Sequence, residues 1–193
     1  MIEGSVPGCS LPDDEVRFRT ARLVVVRRWR DVDLDGYAAL NADPEVMRHL
    51  GVPMTREQSD SLARYGDSWA ERAGLGLLPV VHAVRGELVG MCGLHRQRWY
   101  PDEVEVGWRF ARQAWGSGYA TEAATRWLDE AFGPLELDHV ISITHPENLR
   151  SQAVMRRLGL QPREQADKPA ADGSPLPVIV FTTTSEDWHR RSR

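Results

Sequence analysis

The segment RQAWGSGYATEAA, from Arg112 to Ala124, constrains the fold of this chain more than any other. A strand-like run precedes it and a helix-forming run follows it, so Gly116 and Gly118 occupy a strand-to-helix turn. At such a turn the free N–H groups of the first helical turn and the positive end of the helix dipole favour an anion. Glycines also serve turns that only reverse the chain, so the pattern alone predicts either an anion-binding turn or a plain connection.

The remaining patterns predict a mixed α/β domain in which antiparallel strands come first and helices alternate with strands later. Strands are predicted for RLVVVRR, the apolar runs on both sides of Arg85-Gly86-Glu87, DEVEVGWRF, DHVISIT and PVIVFTTT. Helices are predicted for DVDLDGYAALNADPEVMRHL with a break at Asp-Pro, TREQSDSLARYGDSWAERAG, Thr121 to Phe132, and NLRSQAVMRRLGL. The polar segment REQADKPAADGSPLP predicts a mobile loop.

The helix in TREQSDSLARYGDSWAERAG carries clear end signals. Thr55 is the predicted N-terminal cap and Gly74 the predicted end. Leu62, Tyr65 and Trp69 recur at helical spacing, so they are predicted to share one face of the helix.

The chain has the size and composition of one domain, with 193 residues, 41% hydrophobic and 27% charged. Residues 1–16 are rich in Gly, Pro, Ser and Asp and predict a flexible leader, followed by a single domain over 17–193. No apolar run is long enough to span a bilayer and the N-terminus lacks a secretory signal pattern, so we expect no membrane partner and a cytoplasmic location. A net charge of −4 argues against a nucleic-acid partner.

Two short patterns carry residues suited to chemistry. Glu103 and Glu105 alternate with apolar residues on one predicted strand, either as solvent-facing carboxylates or as groups that handle a proton. Asn148 and Ser151 begin a predicted helix, where such residues usually cap. The cysteines and histidines lack the spacing of a metal site, so no metal is expected.

Over residues 19–188 the sequence resembles the GCN5-related N-acetyltransferase (GNAT) superfamily, and within it the ribosomal-protein N-terminal acetyltransferase-like (RimJ/RimL-like) branch. The matching words are TARLVVVRRWRDVDLDGYAALNADPEVMRHL, EVGWRFARQAWGSGYATEA and NLRSQAVMRRLGL, in that order. The resemblance implies a single twisted mixed sheet of about six to seven strands with flanking helices. In that fold two central parallel strands, here EVEVGWRF and HVISIT, splay apart.

The resemblance also implies acetyl-CoA as the co-substrate, with its pyrophosphate on the glycine-rich turn and its arm along the splayed strand. The cofactor-binding residues that it implies are Phe110, Ala111, Gln113, Gly116, Ser117, Gly118, Tyr119, Ala120, Thr121, Asn148 and Ser151. Relatives often dimerise, so a homodimer is open.

The reaction that the resemblance implies is direct attack of a primary amine on the acetyl thioester. Glu105 is the first choice for the base or amine-orienting group, and Glu103 is the second. Ser151 is the candidate acid or donor near the sulfur, because the tyrosine of many relatives does not follow LRSQAVMRR. The expected acceptor is the N-terminal amine of a protein or peptide. Alternatives are a small amine (an amino acid, a polyamine or an aminoglycoside) and a non-catalytic relative that only binds acyl-CoA.

Overall fold

The computed structural model describes residues 11–170 and 173–191. The strands are β1 (Val16–Arg19), β2 (Leu23–Val26), β3 (Gly76–His82), β4 (Leu88–Gln97), β5 (Tyr100–Phe110), β6 (His139–Thr144), β7 (Gln161–Pro169) and β8 (Pro175–Thr184). The helices are α1 (Asp31–Ala42), α2 (Pro44–Met47), α3 (Arg56–Ala73), α4 (Tyr119–Phe132), α5 (Leu149–Arg157) and α6 (Ser185–Arg191). Short 3₁₀ turns cover Asp13–Glu15 and Arg112–Ala114.

The strands form one mixed sheet in the order β1-β2-β3-β4-β5-β6-β8-β7. The predicted mixed α/β fold is confirmed, although the sheet has eight strands and not six to seven. One addition, β7, lies in the segment that we expected to be a loop and pairs antiparallel with β8 from Gln161 to Pro169. It is a largely exposed edge strand, so it lacks the alternation of apolar residues by which a half-buried strand is recognised.

The predicted splay lies between β5 and β6, the one parallel pair of neighbours in the described sheet. Its register consists of Glu105 opposite Ile141, although β5 continues to Phe110 and β6 to Thr144. The two backbones therefore diverge after Glu105 and leave a wedge at the centre of the sheet.

Helices cover both faces of the sheet. Helix α4 buries the predicted apolar stripe, which includes Trp127 and Leu128, against one face, and the ring of Trp127 meets Phe18 edge-on at 5.3 Å. On the opposite face α1 and α3 pack through Tyr37 and Ala63 against Met91 of β4. Burial of one large apolar side chain stabilises the folded state by about 1.5–3 kcal/mol. Several such side chains hold each helix layer against the sheet.

Helix α3 begins and ends as predicted, and its fully buried residues are small. Thr55 forms a capping box with Gln58, and Gly74 ends the helix with φ +66°. The buried residues are Ser59, Ala63 and Gly66, whereas Tyr65 is 60% exposed. Tyr65 and Trp69 share a face as predicted, with their ring centroids 6.3 Å apart, whereas small residues let the buried side of α3 approach the sheet closely: a Cβ on Gly66 would lie 3.2 Å from the Leu77 carbonyl oxygen.

The predicted leader overlaps the fold at its end. Residues 1–10 lie outside the described part of the chain, whereas Asp13–Glu15 form a 3₁₀ turn and Val16 is buried in β1. Within the described residues, none of the helices combines the length and the apolar character that a membrane span requires.

Candidate active site

A cavity of about 250 Å³ opens where β5 and β6 diverge. Its lining comes from β4, β5, β6, the start of α5 and the start of β8, and it includes His95, Glu105, Gly107, Arg109, Ile143 and Ser151. The fold therefore brings Glu105 and Ser151, two of the sequence-predicted catalytic residues, to the same cavity.

Glu105 is buried in the wedge, 6% exposed, and not on a solvent-facing strand surface. One carboxylate oxygen, Oε1, accepts the Ile143 backbone N–H at 3.1 Å, and Oε2 accepts the Gln97 side-chain amide at 3.2 Å. His95 Nε2 lies 3.4 Å from Oε2. Burial raises the pKa of the Glu105 carboxyl, while His95, the Ile143 N–H and the Gln97 amide oppose that shift. A carboxylate with a raised pKa is a stronger base, and two oxygens have capacity for a further hydrogen bond.

A second side chain crosses the divergence close to Glu105. The Ser142 hydroxyl of β6 donates to the Val106 carbonyl of β5 at 2.9 Å. The hydrogen bonds made by the side chains of Glu105 and Ser142 therefore take the place of backbone pairing where the two strands begin to diverge. The main chain of β5 beyond Val106 is therefore separated from β6 by the cavity.

The glycine-rich turn has the geometry of an anion site. Gly116 has φ +77°, and Gly118, which precedes α4 as its N-terminal cap, has φ +81°. These left-handed conformations are the reason for the glycines, since a Cβ on Gly116 would meet nothing within 4 Å. Among the described residues, no side-chain cap is found for the first N–H groups of α4. The buried hydroxyl of Thr121 also lacks a hydrogen-bond partner among the described residues, so the turn offers donors without acceptors.

Arginines surround this turn, and the sequence analysis missed them. Arg22 of the β1–β2 turn donates from Nη1 to the Ser117 carbonyl at 2.9 Å and pairs with Glu122 at 2.6 Å. Arg150 lies over the Trp115 ring at 4.3 Å. Arg22 is distant in the sequence from the turn, so no local pattern indicated it.

The other predicted cofactor residues have varied surroundings. The Phe110 carbonyl accepts the Trp115 indole N–H at 2.8 Å, and the Ala111 N–H donates to the Val89 carbonyl at 3.0 Å. Gln113 is exposed in the 3₁₀ turn, and Ala120 is half-buried on the first turn of α4. Tyr119 lies beneath Arg22, with 4.9 Å between guanidinium and ring. Their contacts with CoA stay predictions.

Asn148 and Ser151 have different positions relative to the cavity. Asn148 caps α5 through its side-chain oxygen, which accepts the Ser151 N–H at 3.2 Å. Ser151 lines the wedge, and Asn148 is absent from its described lining. The capping interpretation is therefore confirmed for Asn148, and its contact with the cofactor stays a prediction.

Glu103 lies apart from the described lining of the wedge. Its two oxygens accept from Arg163 of β7 at 2.6 and 3.1 Å, and His139 Nε2 lies 3.2 Å away. The hydrogen bonds from Arg163 lower the pKa of the Glu103 carboxyl. A carboxylate with a lowered pKa is a weaker base, so the geometry favours Glu105 over Glu103.

The fold also brings residues to the wedge that the sequence analysis did not assign. His95 and Gln97 of β4 contact Glu105, and Arg109 of β5 lines the cavity. The sequence contained a signal for Arg109, because Glu105, Gly107 and Arg109 are spaced two residues apart and therefore lie on one face of a strand.

Three further side chains could ligate a metal near the cavity mouth. Ligand atoms of His49, His145 and Glu147 lie within 4.8 Å of one another. His145 Nδ1, however, already accepts the Glu147 N–H at 3.2 Å. The expectation that the site needs no metal stays a prediction.

Comparison with known proteins agrees with the fold. A family model described as "Acetyltransferase (GNAT) domain" matches residues 23–161. A Bacillus subtilis protein named "Putative ribosomal N-acetyltransferase YdaF" is 28% identical over 171 residues, which cover 88% of this chain and 86% of that protein.

Two solved structures show the same architecture. An acetyltransferase from Agrobacterium tumefaciens str. C58 is 27% identical, with a TM-score of 0.72 over 95% of this chain and 97% of its own. RimL, the ribosomal L7/L12 α-N-protein acetyltransferase solved with CoA, shares the fold with a TM-score of 0.73 at 12% identity, over 88% of this chain and 98% of its own.

The splayed sheet and the family match together define a GNAT protein. The chain belongs to the GNAT acetyltransferases and is an acetyltransferase, which confirms the resemblance to that superfamily, and RimL shares its fold.

Proposed function

We propose that this protein transfers the acetyl group of acetyl-CoA directly to a primary amine held in the wedge. The observation that carries this proposal is the position of Glu105. Its buried carboxyl stands at the point where β5 and β6 part, beside a cavity that reaches Ser151.

The residues present fit acetyl-CoA. The glycine-rich turn and the uncapped start of α4 would hold the pyrophosphate, with the orphan Thr121 hydroxyl and the nearby Arg22 as further donors. The arm would follow the unpaired part of β5 into the wedge. Acetyl-CoA supplies an acyl group on a good thiolate leaving group.

Glu105 has the chemistry required of the base. The attacking amine must be neutral, so its proton passes to the Glu105 carboxylate, directly or through a water. The nitrogen then forms a bond to the acetyl carbon, and the carbon–sulfur bond breaks. The nitrogen loses its second proton to the departing sulfur or to water, so the products are the amide and CoA as thiol or thiolate; Ser151 lines the cavity here, but its hydroxyl is at most a weak acid.

A peptide N-terminus is the acceptor that the surface favours. A groove of about 770 Å³ between the α2 region and α3 is lined by Met47, Leu50, Leu62 and Tyr65, among others. Leu50 also lines the wedge, so the groove and the cavity adjoin at this residue. An extended chain in the groove would bring its first residue to Glu105. The ribosomal acetyltransferase names of YdaF and RimL agree with this proposal.

A small-molecule amine is the second candidate. The 250 Å³ wedge has the volume for a small amine without any use of the groove. A peptide acceptor predicts that the KM falls as residues are added beyond the first, whereas a small-molecule acceptor predicts no such gain.

The test is a thiol-release assay with acetyl-CoA against peptides of increasing length and a panel of small amines. We expect turnover, and we expect Glu105→Gln to lower kcat by about 100-fold while the Kd for CoA changes little. Glu103→Gln makes the same change two residues away, on a carboxylate outside the described cavity lining, and should retain the rate. CoA binding without turnover on any amine would instead indicate a non-catalytic acyl-CoA-binding protein.

A further inference from the structure

Arg109 occupies the wedge on the same face of β5 as Glu105. Both side chains line the cavity, and Gly107 alone lies between them on that face. The carboxylate and the guanidinium are walls of one cavity of about 250 Å³, in which the side chains of His95 and Leu77 lie against Gly107. One bound molecule can therefore contact both groups.

A network of buried polar side chains from two helices holds the Arg109 guanidinium in place. Arg109 Nη1 donates to the Asn41 side-chain oxygen, and the Asn41 amide donates to the Ser59 hydroxyl at 2.8 Å. Asn41 of α1 and Ser59 of α3 are both fully buried. Buried polar side chains of two helices thus position the Arg109 guanidinium. Burial of these polar groups costs free energy, and a functional role for the cation accounts for that cost.

No carboxylate of the described residues forms an ion pair with Arg109, in contrast to Arg163 and Arg22. Its Nε atom is shut off from solvent and donates to no group among the described residues. Burial lowers the pKa of this guanidinium, opposed by Tyr37. An enclosed cation with a free donor is destabilising until an anion pairs with it.

We propose that Arg109 binds a carboxylate carried by the acceptor amine, so that the substrate class is an amine with a carboxylate close to it. The inference rests on the proposed acetyl transfer. The planar fork of arginine matches a carboxylate with two hydrogen bonds. Two sources offer this chemistry, namely an acidic side chain at the start of a peptide and the carboxylate of a free amino acid. Polyamines and aminoglycosides are disfavoured because they would bring a second cation beside the guanidinium.

The experiment compares matched acceptors. Peptides that begin with Asp or Glu are paired with peptides that begin with Asn or Gln, and free amino acids are paired with their amides. For wild type we expect kcat/KM to be at least tenfold higher for the carboxylate member of a pair, since a hydrogen bond to a charged group is lost in the amide. The pair that shows the higher kcat/KM identifies the source of the carboxylate.

Variants then assign the preference to Arg109. In Arg109→Met the ratio between carboxylate and amide acceptors should fall to about one, and in Arg109→Lys it should be intermediate, because the charge remains without the fork. Arg190→Met, on α6, is the control and should keep the wild-type ratio. If Arg109→Met does not fold, the ratio of kcat/KM between carboxylate and amide acceptors in wild type and in Arg109→Lys still tests the inference, and an equal ratio in the two proteins would overturn it.

A binding measurement separates the two proposals. Calorimetry of the CoA-saturated protein with the same acceptors reports carboxylate binding without turnover. Turnover with equal rates on acid and amide acceptors would overturn the inference and leave acetyl transfer intact. Arg109-dependent carboxylate binding without turnover would overturn the proposed function alone. If neither carboxylate binding nor turnover is observed, the proposed function and the inference about Arg109 are both overturned.

Discussion

The Glu105 carboxylate accepts the backbone N–H of Ile143 at 3.1 Å, across the gap between two parallel strands that stop pairing at that level. In a continuous sheet a backbone carbonyl of the neighbouring strand would accept such an N–H. A side chain in this place both satisfies the parted strand and leaves a buried carboxylate at the edge of the cavity. The base proposed for the reaction is thus also a structural link across the wedge.

The rate of acetyl transfer should depend on the ionisation of Glu105. Because burial raises the pKa of this carboxyl above its ordinary value of 4.5, the base form appears at a higher pH than for an exposed glutamate. We expect kcat/KM to rise with pH through that raised pKa, and Glu105→Gln to remove this limb of the profile. A pH series of thiol release measures it. An identical limb in Glu105→Gln would assign the titration to another group.

Stability should change with pH in the opposite direction. A raised pKa means that the folded state holds the Glu105 proton more tightly than the unfolded state does. The free energy of unfolding from this group therefore falls as the pH rises from the unfolded pKa of about 4.5 to the folded one. Melting curves across this range should show less pH dependence in Glu105→Gln than in wild type. Equal dependence would mean that Glu105 is solvated in the folded protein.

Gly118 should be required for CoA binding because of its backbone conformation. A side chain at φ +81° costs on the order of 1–3 kcal/mol of strain, so Gly118→Ala should distort the turn and weaken CoA binding by about tenfold or more. Gly173→Ala is the matched control, since Gly173 has φ +83° with open space around it, in the turn before β8. Calorimetry with CoA compares the two. Equal losses of affinity would show that the effect is one of general stability.

The Thr121 hydroxyl should matter only when CoA is bound. It is buried without a described partner, so Thr121→Val removes an unsatisfied group and should raise the Tm of the free protein. The same change should raise the Kd for CoA severalfold if the hydroxyl contacts a phosphate. Thr125→Val is the control, because the hydroxyl that it removes donates to the Thr121 carbonyl at 2.8 Å in wild type and is therefore already satisfied. A lower Tm with unchanged CoA affinity in Thr121→Val would contradict the assignment.

Local patterns predicted the elements whose signals lie within a few residues. The Thr55 cap, the Gly74 end, the Asp-Pro break and the apolar stripe of α4 were all confirmed, because each depends on neighbouring residues along the chain. Strand β7 was wrongly predicted to be a loop, and the buried side of α3 was not predicted. An exposed edge strand has no apolar alternation, and the close approach of α3 depends on the sheet that it meets.

By itself the sequence determined the fold class and the strand-to-helix turn at Gly116 and Gly118, because both depend on short-range periodicity and on the residues that a turn tolerates, and its resemblance to known sequences indicated the family. Only the tertiary structure decided that Glu105 is buried and bonded across the wedge, that Glu103 is tied to Arg163, and that Arg109 has no carboxylate partner among the described residues. These differences come from contacts between strands and helices far apart in the chain. The same residue type on the same strand can therefore be a buried carboxylate beside a cavity or a member of a surface ion pair.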